Sequence, residues 1–520
     1  MEQNVFSWPA LRLPRLSARF RLAFFTACLV GFVTHLYLLT NTLPNHDSIH
    51  SIFTDNNVLS SGRWSAQLLS SFSTYFQMPV VIGLISILAL AVTAGLTVHI
   101  LRLTHRGSIV MAAALLVTFP SLSGIFSYLF TADAYCLALL LNTLAVCCAR
   151  RYRWGWAAAI VMMAVACGTY QAFLCYAVGL FLFDCVLMLL EGEDIVKTVR
   201  KGLTYVGICL ASLVLYYVIL KVILLITHTE LVDYQGLNQM GLDNILAFLG
   251  NIPDAYDYFF TYFRRPAHLN AFYRWVQIAD CLFLAVMGLW LAVLKGLFRD
   301  LPRLLLTAAG VALVPLALNF VFILAVGAGI HQLMLYAFVL VFLLAIKIAE
   351  LVMQELVTRQ RPGWLGVLGV NLTLCALLVW CGFYTNNISY LRLQVRYDNS
   401  AALANRIAAR VEALEGYNRD TPVALIGLLP DGLYGRTVPA FSTPEPIVGT
   451  DDILLEYYYS ARDVLQYCAG LRLPPFTQEQ WASVYFSDFI YDMPCWPAAG
   501  SVIMHEGVAV VKLGEIDPPQ

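Results

Sequence analysis

Apolar runs of about 20 residues recur along this chain, and a run of that length crosses the hydrocarbon core of a bilayer as a helix. We count about eleven of them. Their approximate extents are 20–42, 79–101, 108–127, 131–149, 155–171, 173–190, 203–226, 277–298, 304–326, 331–353 and 364–384. Hydrophobic residues make up 60% of the 520 positions and charged residues 12%, against roughly 45–50% and about 25% in soluble domains. A string of soluble domains is thereby excluded. The 32 Lys and Arg against 33 Asp and Glu, a net charge of −1, exclude a generally basic nucleic-acid binder and an acidic disordered chain. The expectation is an α-helical polytopic membrane protein embedded in a lipid bilayer.

Lys and Arg decide which side is which. Arg12, Arg15, Arg19 and Arg21, then Arg102 and Arg106, Arg150, Arg151 and Arg153, Lys197, Arg200 and Lys201, Lys295, Arg299 and Arg303, and Lys347, Arg359 and Arg361 lie in the N-terminal segment or at every second connection. The alternate connections carry Arg63, Arg264, Arg265 and Arg274, all on two long loops. By the positive-inside rule the N-terminus is cytoplasmic, and an odd number of spans leaves the C-terminus outside. The first run is too long for a signal peptide and lacks a small-residue cleavage pattern, so it reads as a retained span.

Three regions follow: a basic cytoplasmic segment 1–19, a membrane domain 20–384 with outer loops 43–78 and 227–276, and a separate extracytoplasmic domain 385–520. The last opens with a helical pattern from Asn399 to Leu414 and a β-like run from Pro422 to Leu429. It closes with a hairpin-like pair, Ser501–Met504 and Val508–Leu513, the pattern of a small α/β domain. Of the 13 cysteines only Cys468 and Cys495 lie in it, and an extracytoplasmic compartment favours their pairing as a disulfide. No CxxC or Cys/His cluster has zinc-site spacing.

A channel or transporter needs polar residues inside its spans. Here they are few: Asp184, Lys221, Asp280 and Lys347, with His35, Asn142 and Asn319, most of them near helix ends. Polar density lies instead in the outer loops. Asp47, flanked by His46 and His50 just beyond the first span, has two readings: a general base towards a hydroxyl of a water-borne acceptor, or the cap of a helix starting near Ser48. Trp64, Leu68 and Phe72 stand at helical spacing and suggest an amphipathic helix on the outer leaflet. Arg63 has the bidentate guanidinium suited to a lipid phosphate, and equally to unspecific headgroup contact.

Two outer turns add Tyr128, Asp133 and Tyr135, and Tyr170 with Gln171. Interfacial tyrosines are ordinary anchors, but Asp133 and Gln171 lie on the same side as Asp47. Lys221 either snorkels outward or pairs with an anion such as a lipid phosphate. Tyr234, the pair Arg264 and Arg265, and His268 mix cations with aromatics as a phosphate-plus-sugar site would, and His331 supplies one more titratable group. No P-loop, dinucleotide fingerprint, nucleophile elbow or HExxH motif is present. A donor already in the membrane fits better than a nucleotide.

Several segments together resemble the serotype-converting O-antigen glucosyltransferases, polytopic bacterial enzymes of the GT-C class. They are Asp47 with the downstream Gly62-Arg63-Trp64, Pro120 to Tyr128 followed by Asp133-Ala-Tyr135, the turn Tyr170-Gln171-Ala-Phe, and the ending from Trp496-Pro-Ala-Ala-Gly500 to Gly507-Val-Ala-Val-Val-Lys512. The resemblance covers nearly the whole chain. It implies transfer of a hexose, typically glucose, from a polyprenyl-phosphate carrier, undecaprenyl phosphate, to a lipopolysaccharide glycan on the periplasmic face of the inner membrane.

Carried over, the general base is Asp47 and the outcome at the anomeric carbon is inversion. Arg63, Lys221, Arg264 and Arg265 would neutralise the leaving phosphate. His46, Asp55, Trp64, Tyr128, Asp133, Tyr170, Gln171, Tyr234 and His331 would line the sugar or acceptor pocket. Family loops often carry a second acidic residue beside the base, where this chain has Ser48, so no metal is expected to be required. A lipid-linked sugar flippase, a non-catalytic scaffold, and transfer of another sugar or to another acceptor are the alternatives.

Overall fold

The computed structural model describes residues 17–54, 58–71, 78–231, 250–266, 269–324, 330–430, 447–450, 454–456 and 458–516. In hydrocarbon every backbone N–H and C=O must be satisfied within the protein, and a helix does so without neighbours. The apolar runs accordingly form helices, numbered here in chain order. Among the described residues nine stretches are long and apolar enough to cross a membrane. They are Ala18–Thr40 (α1), Pro79–Ile100 (α4), Leu129–Arg151 (α7), Gln171–Leu190 (containing α9, Leu174–Leu190), Ile195–Thr227 (α10), Ala271–Leu294 (α12), Leu301–Leu318 (α13, Leu301–Ala312, and α14, Val314–Leu318), Gln332–Thr358 (containing α16, Val339–Thr358) and Trp364–Glu412 (α17).

Two of the expected runs take another form. Run 108–127 breaks into Arg106–Thr118 (α5) and Ser121–Ser127 (α6), bent by 42°. The cause is Pro120, which has no N–H to donate and holds Phe119 extended at ψ 132°. Run 155–171 is the shorter helix Gly155–Thr169 (α8), closed by an extended Tyr170 at φ −161°. Among the described residues nine such stretches, or ten if the bent pair counts as one span, therefore stand where about eleven were expected. The helical core is centred on Gln332–Thr358, whose most apolar 18 residues are all buried, whereas α10 and α12 leave most of theirs unburied, as lipid-facing helices do.

Polar residues within the bundle are mostly paired. His35 of α1 lies 2.6 Å from the Tyr390 hydroxyl of α17 and 2.9 Å from the Val117 carbonyl of α5, tying three helices together. At the opposite end Asp184 of α9 meets Arg102 at 2.8 Å, Arg150 at 3.0 Å and Lys201 at 3.0 Å, and accepts the Tyr205 hydroxyl at 2.8 Å. Lys347 donates to the Arg102 carbonyl at 3.2 Å and lies 3.8 Å from Glu191. These charges close one ionic staple across the basic end of the bundle. Asp280 differs: it is fully buried in α12, with no hydrogen-bond partner among the described residues.

The expected domain boundary at 384/385 falls inside an uninterrupted helix, since α17 runs 49 residues from Trp364 to Glu412. No Gly or Pro occurs between Phe383 and Glu412 to stop it. Its end packs on a three-stranded sheet, in which Val508–Lys512 (β3) lies between Val423–Ile426 (β1, parallel) and Val502–His505 (β2, antiparallel). Strand alternation places Val423, Leu425, Ala509 and Val511 against Leu403 and Ile407 of α17 and Val464 of α18 (Tyr458–Ala469). The opposite residues, Ala424, Ile426, Val508 and Val510, pack on Val484 of α19 (Gln478–Tyr485) and Ile490 of α20 (Phe489–Asp492).

The expected Cys468–Cys495 disulfide is not formed, and both residues are free thiols. They sit against different partners: Cys468 against the Tyr397 hydroxyl, and Cys495 against Glu515, itself paired with Lys512 at 3.0 Å. Burial raises both thiols above the usual cysteine range.

Small residues let helices approach closely in a membrane, and Gly382 of α17 is the tightest such point against α5. A Cβ there would lie 2.3 Å from the Thr118 carbonyl oxygen. Gly382→Ala should lower stability by about 1–3 kcal/mol, read as an earlier thermal unfolding midpoint in detergent. Gly366→Ala, which meets nothing within 4 Å, should leave the midpoint unchanged.

Candidate functional site

The turn after α1 builds a very short helix, His46–His50 (α2). Its cap is Asn45, whose side chain accepts the Ser48 N–H at 2.8 Å. Asp47 is thus not the cap, which removes one of its two readings. Its Oδ1 instead accepts the Tyr459 hydroxyl from α18 at 3.1 Å, with His46 Nε2 at 3.7 Å from the same oxygen. The Asp47 side chain is 37% exposed, so a carboxylate oxygen is within reach of a water-borne hydroxyl.

His50 closes the same end. Its Nδ1 lies 2.6 Å from Asp463 Oδ2, and its ring stacks edge-on to Tyr459 at 5.0 Å. Burial raises the Asp463 carboxyl above the usual range, with the His50 bond opposing the shift. Falling pH therefore protonates Asp463 sooner than it would a solvated aspartate. A second contact comes from Gly449, at φ +81°, where a Cβ would lie 2.4 Å from Ser127 Oγ and 3.0 Å from Asn45 Nδ2. The Ser127 hydroxyl donates to the Val448 carbonyl at 3.2 Å. Tyr128, next in the chain, packs edge-on to His46 at 6.1 Å.

Two turns along α7 is a second group, centred on Arg63. The Arg63 guanidinium donates to the Tyr135 hydroxyl at 3.4 Å and lies 5.1 Å from the Tyr170 ring centre. Tyr135 and Tyr170 stack at 4.8 Å and 29°. Gly62 turns the chain here at φ +76°, an angle that favours glycine, and its carbonyl accepts the Tyr216 hydroxyl of α10 at 3.1 Å. Gln171 in turn donates to that hydroxyl at 2.8 Å. Trp64 lies over Gly168, and Ser65 is bonded to the Val165 carbonyl and the Thr169 hydroxyl. This packing corrects the amphipathic-helix expectation: Trp64 is turned inward, Leu68 is 74% exposed, among the described residues of the segment only Ala66–Leu69 (α3) is helical, and Phe72 lies outside them.

The N-terminal part of α7 joins the two groups. Tyr128 packs on His46 and Tyr135 on Arg63, roughly 10 Å apart along the helix axis, and the buried Asp133 lies between them in sequence. Lys221 is not brought in: Tyr216 and Leu220 face the Arg63 group, while Lys221 is exposed beside Tyr217. Arg264 and Arg265 are exposed at the end of Ile252–Arg264 (α11), and His331 is half-buried before Gln332. Asp55, Tyr234 and His268 lie outside the described residues.

Sequence reasoning passed over Tyr216, Tyr459, Asp463 and two arginines buried on α17, Arg392 and Arg396. Only the arginines carried a local signal, as cations beyond the last apolar run. Among the described residues no three His, Cys, Asp or Glu side chains converge as a metal site would require.

A family model described as Glucosyl transferase GtrII matches residues 36–342, from late in α1 to the first turn of α16. No curated protein and no solved structure matches the chain.

Gly62→Ala tests the Arg63 group. A Cβ there would lie 2.9 Å from the Tyr216 hydroxyl and strain a left-handed backbone by about 1 kcal/mol or more, moving Arg63 off its tyrosine pair. The expected outcome is at least a tenfold loss of turnover alongside a modestly lower thermal midpoint; full turnover would detach Arg63 from function.

Proposed function

Because the chain belongs to the GtrII glucosyl transferase family and has, among its described residues, nine stretches long and apolar enough to cross a membrane, we propose that it moves glucose from a polyprenyl-phosphate carrier, undecaprenyl phosphate, to an O-antigen or related surface glycan. The reaction takes place at the periplasmic face of the bacterial inner membrane. Lys and Arg at alternate connections support a cytoplasmic N-terminus. A count of eleven crossings, with α5–α6 and the shorter α8 included, would put Asp47, Arg63 and the C-terminal unit on the same outer side.

In this reading an acceptor hydroxyl oxygen attacks the anomeric carbon as the bond from that carbon to the carrier phosphate breaks. The sugar is inverted, the phosphate leaves with the bonding pair, and the hydroxyl proton passes to Asp47. Charge develops on the departing phosphate, where a preorganised cation contributes most. Arg63 is that cation: its position is held by the Tyr135 hydroxyl and the Tyr170 ring before any ligand arrives. Lys221, Arg264 and Arg265 are outlying cations for the carrier's approach. Tyr128, Asp133, Tyr170, Gln171 and His331 line the sugar side, with His46 and Trp64 at its edges.

The observation that carries the reading is the pairing of a solvent-reachable carboxylate with a preset arginine at the two ends of one short stretch of α7. The test is glucose transfer from synthetic polyprenyl-phosphate glucose to isolated lipopolysaccharide by the purified protein. Asp47→Asn should lower turnover by roughly 10²–10⁴ with folding matched to wild type. Wild-type turnover in that variant would move the base elsewhere. No transfer by either protein, over a panel of lipid-linked sugars, would remove the transferase assignment.

A further inference from the structure

Helix α2 has five residues, His46–His50, far fewer than the roughly 12–15 at which an isolated helix becomes even marginal in water. Tertiary contacts must hold it in place. Several come from the C-terminal unit: Ile49 is fully buried in one core with Leu403 and Ile407 of α17, Leu454, and Val464 of α18. Gly449 sits against Asn45, the residue that caps α2. Two polar contacts come from α18, where Tyr459 and Asp463 are four residues apart and so share one helix face. That face lies over α2, with Tyr459 on Asp47 at 3.1 Å and Asp463 on His50 at 2.6 Å. These bonds join residues 412 and 413 positions apart. Both partners also lie beyond residue 342, where the family match ends.

We infer that Tyr459 and Asp463 of the C-terminal unit are positioning residues for the catalytic helix, so that the site is completed only when this unit is docked. The inference rests on Asp47 being the base. Tyr459 fixes the plane of the Asp47 carboxylate by donating to one of its oxygens. Asp463, with its side chain 11% exposed, holds the His50 ring and with it the last turn of α2, so the direction in which Asp47 points is set from outside the membrane bundle. A glycan acceptor that engages the C-terminal unit would thereby meet a base already oriented.

Steady-state transfer by the full-length protein tests this, using polyprenyl-phosphate glucose and isolated lipopolysaccharide. Tyr459→Phe keeps the ring and removes the donor. It should lower kcat on the order of tenfold, the size expected for a hydrogen bond to a charged group, and leave the acceptor KM and thermal midpoint nearly unchanged. His50→Gln and Asp463→Asn should each lower kcat, the double variant should be no slower than the worse single one, and Asp463→Glu should recover part of the loss. A merely structural role would instead lower the thermal midpoint or raise KM. Wild-type kcat in Tyr459→Phe, a loss confined to KM, or multiplying losses for His50 and Asp463 would overturn the inference. The Asp47→Asn rate separates the two claims: if it is low while Tyr459→Phe is silent, only the positioning role fails. If it equals wild type, the base assignment fails and the positioning role with it.

Discussion

No water reaches the hydrocarbon interior to satisfy a stray polar group, and that constraint orders the whole molecule. Apolar helices fill the bilayer, and most polar side chains among the described residues are either paired across helices or collected at the two ends. His35 is satisfied by Tyr390 and a backbone carbonyl, and Asp184 is surrounded by Arg102, Arg150, Lys201 and Tyr205. The basic end carries an ionic staple. The other end carries carboxylates, imidazoles, tyrosines and an arginine in two adjoining groups.

On the proposed reading, that division gives the chemistry its setting. A reaction between a lipid-borne donor and a water-borne acceptor belongs at the boundary, where the leaving phosphate and the attacking hydroxyl can approach from different phases. Arg63 is held in a tyrosine stack on the bundle side, and Asp47 is part-exposed on the short helix just after α1. The α7 segment from Tyr128 to Tyr135 touches both groups. Holding the two in place before substrate binds is worth more than extra contacts made afterwards, because reorganisation is avoided at the moment of reaction.

Much of the fold was legible in the sequence, because length and apolarity are enough to mark a span and Pro, Gly and strand alternation mark its interruptions. The hairpin Val502–Lys512 and the strand Val423–Ile426 stand where alternation put them. The unbroken α17 was also readable, since nothing between Phe383 and Glu412 stops a helix; the change from apolar to polar residues suggested a boundary that backbone chemistry does not require. The site was legible only in its local parts. Asp47 and Arg63 announced themselves as polar groups beside a span, but the choice of Asn45 over Asp47 as cap depends on backbone angles two residues apart. Lys221 faces away from Arg63 because Tyr216 and Leu220 take the inner side of a helix that is apolar all round, and such a helix has no sequence signal for its facing. Tyr459 and Asp463 could not be found at all, since each is bonded to a residue more than 400 positions away.

On the proposed reading, one substrate-sized site spans the Arg63 and Asp47 groups. A cryo-EM structure of the full-length protein with a polyprenyl-phosphonate glucose, in which carbon replaces the bridging oxygen and transfer is blocked, tests it most directly. The expected result is phosphonate oxygens on Arg63 and the anomeric carbon turned towards Asp47, with α18 still over α2. Density for the phosphonate beside Lys221 or Arg264, with Arg63 and Asp47 both away from the sugar, would contradict it.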